Sequence, residues 1–244
     1  MDFSKELLGQ VTLAKGGQAR ISLDKEDRGL TVAASLQWDG GSEERRARGA
    51  DLDLYTLFVP ADAAVRSADH APGHVFPQIR RGLFRGKNRD EVKALEAELA
   101  TRTDAGQALY YKNLGSLKEP PYMQLSGDAK VPGEETISIV CPDQQGYALI
   151  CAYSAVGNGA GSFRSYGARV VVTDGIGSTV TVPLYNDTNT SYWVAIAFVD
   201  FTDPHGVSIG HVERYSKRFT EKRPVLHTDG TVLMDAGPVE FKRR

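Results

Sequence analysis

The sequence predicts an all-β protein, a two-sheet antiparallel β-sandwich with one loop-helix insertion. Runs rich in β-branched and aromatic residues recur along the chain, and Gly, Pro, Asn and Asp separate them. The intervals between most of these runs are too short for the crossover helices that parallel strands require. Many short strands joined by frequent turns are typical of a β-sandwich.

The predicted strands follow one another along most of the chain. They cover residues 10–13, 19–22, 30–38, 52–59, 136–140, 147–153, 169–173, 178–184 and 192–201, with two more at 207–215 and 232–235. We assign residues 9–216 to the sandwich domain and residues 217–244 to a C-terminal extension, in which an added strand is left open. Trp38 and Trp193 fall inside predicted strands, so we expect both to be core aromatics.

Residues 63–108 break the strand pattern and are predicted to leave the sheet as a loop and a helix. Val92, Leu95 and Leu99 recur at helical spacing within this insertion. That spacing predicts a short amphipathic helix over residues 90–101.

Two other stretches are strongly polar. Residues 76–89, just before the predicted helix, hold five cations, namely Arg80, Arg81, Arg85, Lys87 and Arg89. Such a stretch can bind nucleic acid, an acidic protein or an anionic surface, or it can be a solvated loop. Residues 40–49 are also rich in charge, and we predict an exposed, mobile loop there.

Composition and cysteine use indicate a cytoplasmic globular protein. The chain is 41% hydrophobic and 25% charged, and its formal net charge of -2 gives no overall signal for nucleic acid or membrane. No secretory signal and no apolar stretch of transmembrane length is visible. A hairpin turning at residues 143–146 would place Cys141 opposite Ala148, so we expect Cys141 and Cys151 to be free core thiols.

A pair of aspartates gives the first functional indication. Asp51 and Asp53 are two residues apart, so in a strand they point to the same face, about 7 Å apart. Tyr55, Leu57 and Val59 continue that face and are apolar. Two like charges entering an apolar face are costly unless a cation lies between them. A hard divalent cation is the natural solution, and calcium is one that takes roughly six to eight oxygen ligands.

Further oxygen ligands must come from other segments. Asp39 ends the preceding strand, and the loop at residues 127–135 offers Asp128, Glu134 and Glu135, with the choice between the two glutamates left open. Glycines in this loop allow backbone carbonyls to turn inward. The alternative, which the residues alone favour, is a solvated strand start and an ordinary hairpin turn without metal.

Several stretches, taken in order, carry a family resemblance. They are residues 13–18, 32–39 ending in Trp38-Asp39, 51–59 beginning Asp51-Leu-Asp53, 110–116, 125–135 with Gly127-Asp128 and Gly133-Glu134-Glu135, and 162–172. Together they resemble the TerD family of tellurium-resistance and calcium-binding stress proteins. The resemblance implies a β-sandwich, calcium binding, a cytoplasmic location and a role in stress or tellurium-oxyanion resistance. The acidic loop is shorter than is usual in that family and contains Ala129 and Lys130, which leaves the number of calcium sites open.

The remaining motifs do not indicate an enzyme. His70 and His74 have the spacing of a zinc pair, but Pro72 and Gly73 lie between them. We therefore interpret this segment as a flexible loop. The segment 200–206 has the Asp, Pro and Gly of a turn between strands. No nucleophile motif accompanies its Asp and His residues.

One glycine-rich segment has features of a phosphate-binding turn, but we reject that interpretation. Gly157, Gly159 and Gly161 follow a predicted strand, as the glycines of a phosphate-binding turn would. The residues that follow, 162–167, read as a strand rather than as the helix that would hold a phosphate. A glycine-rich hairpin loop is the interpretation we prefer.

The sequence therefore predicts a non-enzymatic calcium-binding protein of a stress or tellurium-resistance system, acting through metal-stabilised contacts with protein partners. The alternative is a metal-free interaction module. In that alternative the Arg-rich stretch 76–89 binds an acidic protein, RNA or an anionic surface, with nucleic acid the less favoured partner.

Overall fold

The computed structural model describes residues 9–27, 29–47, 51–79, 89–155, 163–188 and 190–240. The predicted glycine-rich loop around Gly159 lies outside these residues, and so do four of the five cations of the Arg-rich stretch.

Short strands make up most of the regular structure. In chain order they are β1 (Gln10–Thr12), β2 (Gln18–Ile21), β3 (Val32–Trp38), β4 (Asp53–Pro60), β5 (Ala108–Leu109), β6 (Gly115–Ser116), β7 (Met123–Leu125), β8 (Gly133–Ile139), β9 (Gln145–Tyr153), β10 (Arg169–Thr173), β11 (Thr179–Pro183), β12 (Trp193–Asp200), β13 (Val207–Tyr215), β14 (Val225–Leu226) and β15 (Val232–Leu233). The helices are α1 (Glu43–Ala47) and α2 (Arg89–Leu99), with three-residue 3-10 helices at Pro142–Gln144 and Arg164–Tyr166.

Two large sheets pack face to face, as the sequence predicts. The first sheet has the order β1-β11-β10-β3-β8-β7-β6, and the second has the order β2-β13-β12-β9-β4-β5. Neighbouring strands run antiparallel except β1 and β11, which are parallel. The predicted β-sandwich is confirmed.

The sandwich interior is filled from both sheets. Leu36 and Ile137 of the first sheet meet Leu54, Ile150 and Ile196 of the second in one buried cluster. These residues alternate along their strands with residues facing the other way, which is the period-2 pattern of a packed sheet.

A third layer covers the outer face of the second sheet. Tyr55, Leu149, Cys151 and Trp193 on that face form a second buried cluster with residues of the insertion and of the C-terminal segment. All nine residues of β9 are therefore buried, and a strand buried on both faces reads as a continuous apolar run. Tyr55, Leu57 and Val59 are buried as expected, but against this cover and not in the sandwich interior.

The insertion forms part of the cover. The predicted helix is present as α2, and the His70 ring lies 2.8 Å from the Glu98 carboxylate near its end. His70 and His74 stack with ring centroids 4.1 Å apart, and both contact the buried Phe76 edge-on. The interpretation of these histidines as a flexible loop is therefore replaced by a packed cluster.

Three local expectations are wrong. The polar stretch 40–49 contains the helix α1, because the Ser42 hydroxyl accepts a hydrogen bond from the Arg45 amide, as an N-terminal cap does. Residues 164–166 form a 3-10 helix instead of a strand. Cys141 and Cys151 are both free as expected, but only Cys151 is in the core, while Cys141 is partly exposed.

The described part of the C-terminal segment, residues 217–240, joins neither large sheet. Its strands β14 and β15 pair with each other as a separate hairpin. Among the described residues, none of the helices is long and apolar enough to pass through a membrane.

The turn between β12 and β13 offers a test of the strand packing. Gly206 has φ of +141°, and a Cβ on it would lie 2.1 Å from the Ile21 carbonyl oxygen of β2. We expect Gly206→Ala to lower the free energy of unfolding by about 2–4 kcal/mol, since backbone strain and a backbone clash add together.

The matched control is Gly175→Ala. Gly175 also has a positive φ, of +72°, but open space lies where its Cβ would be. We expect a loss of only about 1 kcal/mol there. Chemical denaturation of both variants checks this, and equal losses would contradict the proposed close approach of β2.

Candidate metal centre

Four acidic side chains meet at one end of the sandwich. Asp51, Asp53, Asp128 and Glu135 each offer a carboxylate oxygen, and these oxygens all lie within 4.8 Å of one another. Within the part of the chain that the structure describes, no other group of three or more His, Cys, Asp or Glu residues is arranged in this way. We call these four residues the acidic cluster.

The cluster is assembled from segments far apart in sequence. Asp53 is the first residue of β4 in the second sheet, and Asp51 precedes it by two positions. Glu135 belongs to β8 in the first sheet, and Asp128 lies in the loop before that strand. Asp53 is 1% exposed and Glu135 is 2% exposed, and Asp51 is buried as well, whereas Asp128 is exposed, so the cluster is largely buried and opens to the surface at Asp128.

The pleat of β8 decides which glutamate enters the cluster. Glu135 is two residues before Ile137, which faces the sandwich interior, so Glu135 points inward as well. Glu134 points outward. Its carboxylate accepts hydrogen bonds from the side-chain amide of Gln37 at 2.6 Å and from the Thr136 hydroxyl at 3.0 Å.

The Glu135 carboxylate joins two parts of the cluster through the backbone. One of its oxygens accepts a hydrogen bond from the Leu54 amide at 2.7 Å, and the other accepts from the Ala129 amide at 2.8 Å. Leu54 follows Asp53 and Ala129 follows Asp128. Glu135 therefore holds the two aspartates on either side of it.

This arrangement concentrates negative charge in a poorly solvated place. Burial raises the pKa of Glu135 to about 8, and the charges of Asp53 and Asp51 act in the same direction. The hydrogen bonds from Leu54 and Ala129 oppose this rise. A bound cation would relieve the repulsion among the carboxylates.

The donor atoms favour a hard cation. All four side chains supply carboxylate oxygens, and the cluster includes neither His nor Cys. Calcium and magnesium prefer oxygen ligands, whereas zinc and copper sites usually contain imidazole or thiolate. The residues fit a divalent cation of the calcium or magnesium kind.

Two of the candidate ligands from the sequence lie outside the cluster. Asp39 is exposed, and its carboxylate accepts a hydrogen bond from the Gly41 amide at 2.7 Å and packs against Gly167. It remains beside its own strand end because the chain reverses there over Gly40 and Gly41. Glu134 lies on the opposite face of β8, as described above. The structure brings together Asp51, Asp53, Asp128 and Glu135.

Sequence reasoning missed the two backbone amides that hold Glu135. Every non-proline residue carries such a donor, so nothing in the residue types of Leu54 and Ala129 marks them. The partnership depends on the distance between the two sheets, which sequence does not show.

The histidine pair does not add a second centre. His70 is close to Glu98, but among the described residues no third ligand completes a metal group with His70 and His74. The stacked imidazoles instead fix the segment before the Arg-rich stretch. Burial lowers the pKa of His74, and the neighbouring His70 acts in the same direction.

Comparison with known proteins gives similarity only at the level of structure. No protein-family model matches the sequence, and no curated protein matches it. A homologue of the telluride resistance protein TerD, SCO6318 from Streptomyces coelicolor A3(2), is similar over 76% of this chain and 89% of its own, with 12% identity and a TM-score of 0.42. The protein SAV2460, of unknown function, is similar over the same shares of each chain, with 10% identity and a TM-score of 0.42. The structural neighbours thus include a homologue from the family that the sequence motifs resemble.

The raised pKa of Glu135 predicts how stability depends on pH when no metal is bound. The unfolded chain has a pKa near 4.5 at this residue and the folded chain has one of about 8. The contribution of Glu135 is therefore fully present below about pH 4.5 and is lost as the pH rises through 8. In chelator we expect the free energy of unfolding to fall across this window, by at most roughly 1.4 kcal/mol per pH unit.

Denaturant titrations at several pH values between 4.5 and 8 would measure how steeply the free energy of unfolding falls with pH. Glu135→Gln should flatten this slope, because the titrating group is removed. Glu134→Gln removes a carboxylate from the exposed face of the same strand and should leave the slope unchanged. Equal slopes for wild type and Glu135→Gln would show that the cluster does not set this dependence.

Proposed function

We propose that the protein binds calcium at the acidic cluster and acts, without catalysis, as a metal-stabilised binding protein of a stress-response system. The observation that carries the proposal is the convergence of Asp51, Asp53, Asp128 and Glu135, with oxygens within 4.8 Å of one another. The stress-response role rests on the motifs that resemble the TerD family. Two free cysteines agree with a reducing, cytoplasmic location.

Calcium is preferred over magnesium because of the shape of the ligand set. Four carboxylates can supply up to eight oxygens, which suits the high and flexible coordination number of calcium. Magnesium requires a nearly ideal octahedron and usually retains several waters. A crowded group of mostly buried carboxylates favours the larger ion, which sheds its water more readily.

The ion would act as a link between the layers. Asp53 belongs to the second sheet, Glu135 to the first, and Asp128 to the loop between β7 and β8. Any ion that binds the folded state and not the unfolded chain stabilises the fold by mass action. It would also order the loop at residues 126–132, where Val131 is 62% exposed. We assign this loop as the surface that a protein partner contacts.

Calcium binding itself is the primary test. Isothermal titration of the chelated protein should give a saturable heat. At a calcium concentration of about 100 times Kd, the ion adds roughly 2.7 kcal/mol of stability, which raises Tm by about 5–10 °C for a chain of this size. Asp53→Asn should weaken binding about tenfold or more, because a buried ligand charge is lost.

Glu134→Gln serves as the matched control and should bind like the wild type. Magnesium at the same concentrations should raise Tm less than calcium does. If wild type shows neither heat nor a Tm shift at millimolar calcium, the calcium proposal fails.

Ordering of the loop gives a second, independent readout. Lys130 is exposed and is followed by Val131, so trypsin can cut between them. We expect calcium to slow this cleavage about tenfold in the wild type, since a protease needs a locally opened backbone.

The cut after Lys118, also exposed, provides an internal reference in the same digest. Mass spectrometry of the fragments measures both rates. Asp53→Asn should remove the effect of calcium at Lys130 only. Equal protection at both sites would mean that the ion stabilises the whole fold without ordering this loop.

A further inference from the structure

A cleft lies at the edge of the second sheet, where the short edge strand β5 meets the C-terminal segment. Its volume is about 630 Å³, within the range of small-molecule sites. The walls include Tyr110, Pro120, Pro121 and Pro238, together with the charged residues Arg223 and Glu240. We call it the edge cleft.

Arg223 is the unusual member of this cleft. The residue is only 8% exposed, yet within the described part of the chain its guanidinium makes no hydrogen bond and no ion pair. Its backbone is fixed, because its amide donates to the Pro238 carbonyl and its carbonyl accepts from the Gly237 amide, both at 3.0 Å. A Cβ on Gly237 would lie 2.8 Å from the Arg223 Cγ, so the stem is closely packed as well.

A guanidinium in a largely buried residue that has no direct hydrogen-bond partner is stabilised by an anionic ligand that supplies one. Arg223 lines the cleft, so a ligand can reach it there. A guanidinium is a rigid planar fork that matches a carboxylate with two parallel hydrogen bonds. The residue therefore indicates an anionic group in the ligand, with a carboxylate as the best geometric match.

Glu240 is the second charged residue of the cleft, and it calls for a positive group in the ligand. Burial raises the pKa of this side chain, and Arg223 and Lys112 oppose the rise. A bridge between Lys222 and Val239 pairs the two segments, so Arg223 and Glu240 are diagonal neighbours, typically about 7–8 Å apart at Cα. Within the described residues the two side chains form no ion pair, so a gap separates a positive from a negative group.

We propose that the edge cleft binds a small zwitterion of the α-amino-acid class, with its carboxylate on Arg223 and its ammonium group at Glu240. Two hydrogen bonds of about 2.8 Å each and the body of the ligand together bridge the gap. The apolar part of the ligand lies against Tyr110 and the prolines. The Tyr110 ring is held for this contact, since it stacks on the buried Tyr55 at 4.9 Å.

Three related compounds test the carboxylate contact and the ammonium contact separately. L-leucine carries both groups, 4-methylpentanoate lacks the ammonium group, and 3-methylbutylamine lacks the carboxylate. Isothermal titration of the full chain in chelator should show saturable binding of leucine. Each half-probe should bind at least tenfold more weakly. The use of chelator keeps this test independent of the calcium proposal.

Two variants assign the charges to residues. Arg223→Met keeps the stem and removes the cation, and it should abolish leucine binding without lowering Tm, because no hydrogen bond or ion pair within the described protein is lost. Glu240→Gln should weaken leucine about tenfold and leave 4-methylpentanoate unchanged. Arg169→Met, on the exposed face of the first sheet, is the control and should bind leucine normally.

Several outcomes would overturn the proposal. They are no saturable binding of leucine by the wild type, equal affinity for leucine and 4-methylpentanoate, and leucine binding by Arg223→Met within twofold of wild type. If Arg223→Met does not fold, the Glu240→Gln variant tests the proposal instead. An equal loss of affinity for leucine and for 4-methylpentanoate in that variant would contradict the assigned ammonium contact.

Discussion

The two sheets meet at the acidic end through the buried carboxylate of Glu135. This side chain leaves β8 in the first sheet and accepts a hydrogen bond from the Leu54 amide in the second. Its other oxygen binds the Ala129 amide of the neighbouring loop. Because Leu54 and Ala129 each follow an aspartate, the contact that joins the layers also gathers the acidic cluster. Charge concentration here is therefore a consequence of how the sandwich closes, and a cation offsets its cost.

Much of the fold could be predicted because its strands are marked by simple local patterns. β9 and β12 are buried on both faces and read as nearly continuous apolar runs. The helix α1 could not be predicted, since it has only five residues and its cap at Ser42 lies in a stretch of glycine and charge. In such short segments a single side-chain hydrogen bond determines the structure, and composition does not reveal it.

The candidate site, like the fold, has parts that local sequence predicts and parts that it does not. The spacing of Asp51 and Asp53 is a local property, and it correctly indicates that both carboxylates occur together. The choice between Glu134 and Glu135 depends on the register of β8 against β3, where Glu135 lies opposite Leu36. A shift by one residue would send Glu134 inward instead. Register is set by the partner strand, so one segment of sequence cannot determine it.

The strand β4 connects the acidic cluster with the edge cleft. It begins with Asp53, and its residue Phe58 lines the cleft. Between them is Tyr55, fully buried and stacked on Tyr110 of the cleft wall. Burial raises the pKa of the Tyr55 phenol, and the charges of Glu240 and Asp53 both add to the rise. A change of charge at either site is therefore felt at the same buried ring. Tyr55 also packs edge-on against Trp193, with ring centroids 4.7 Å apart, within the buried cluster on the outer face of the second sheet. Metal in the cluster and a ligand in the cleft would thus both change the electrostatic surroundings of Tyr55.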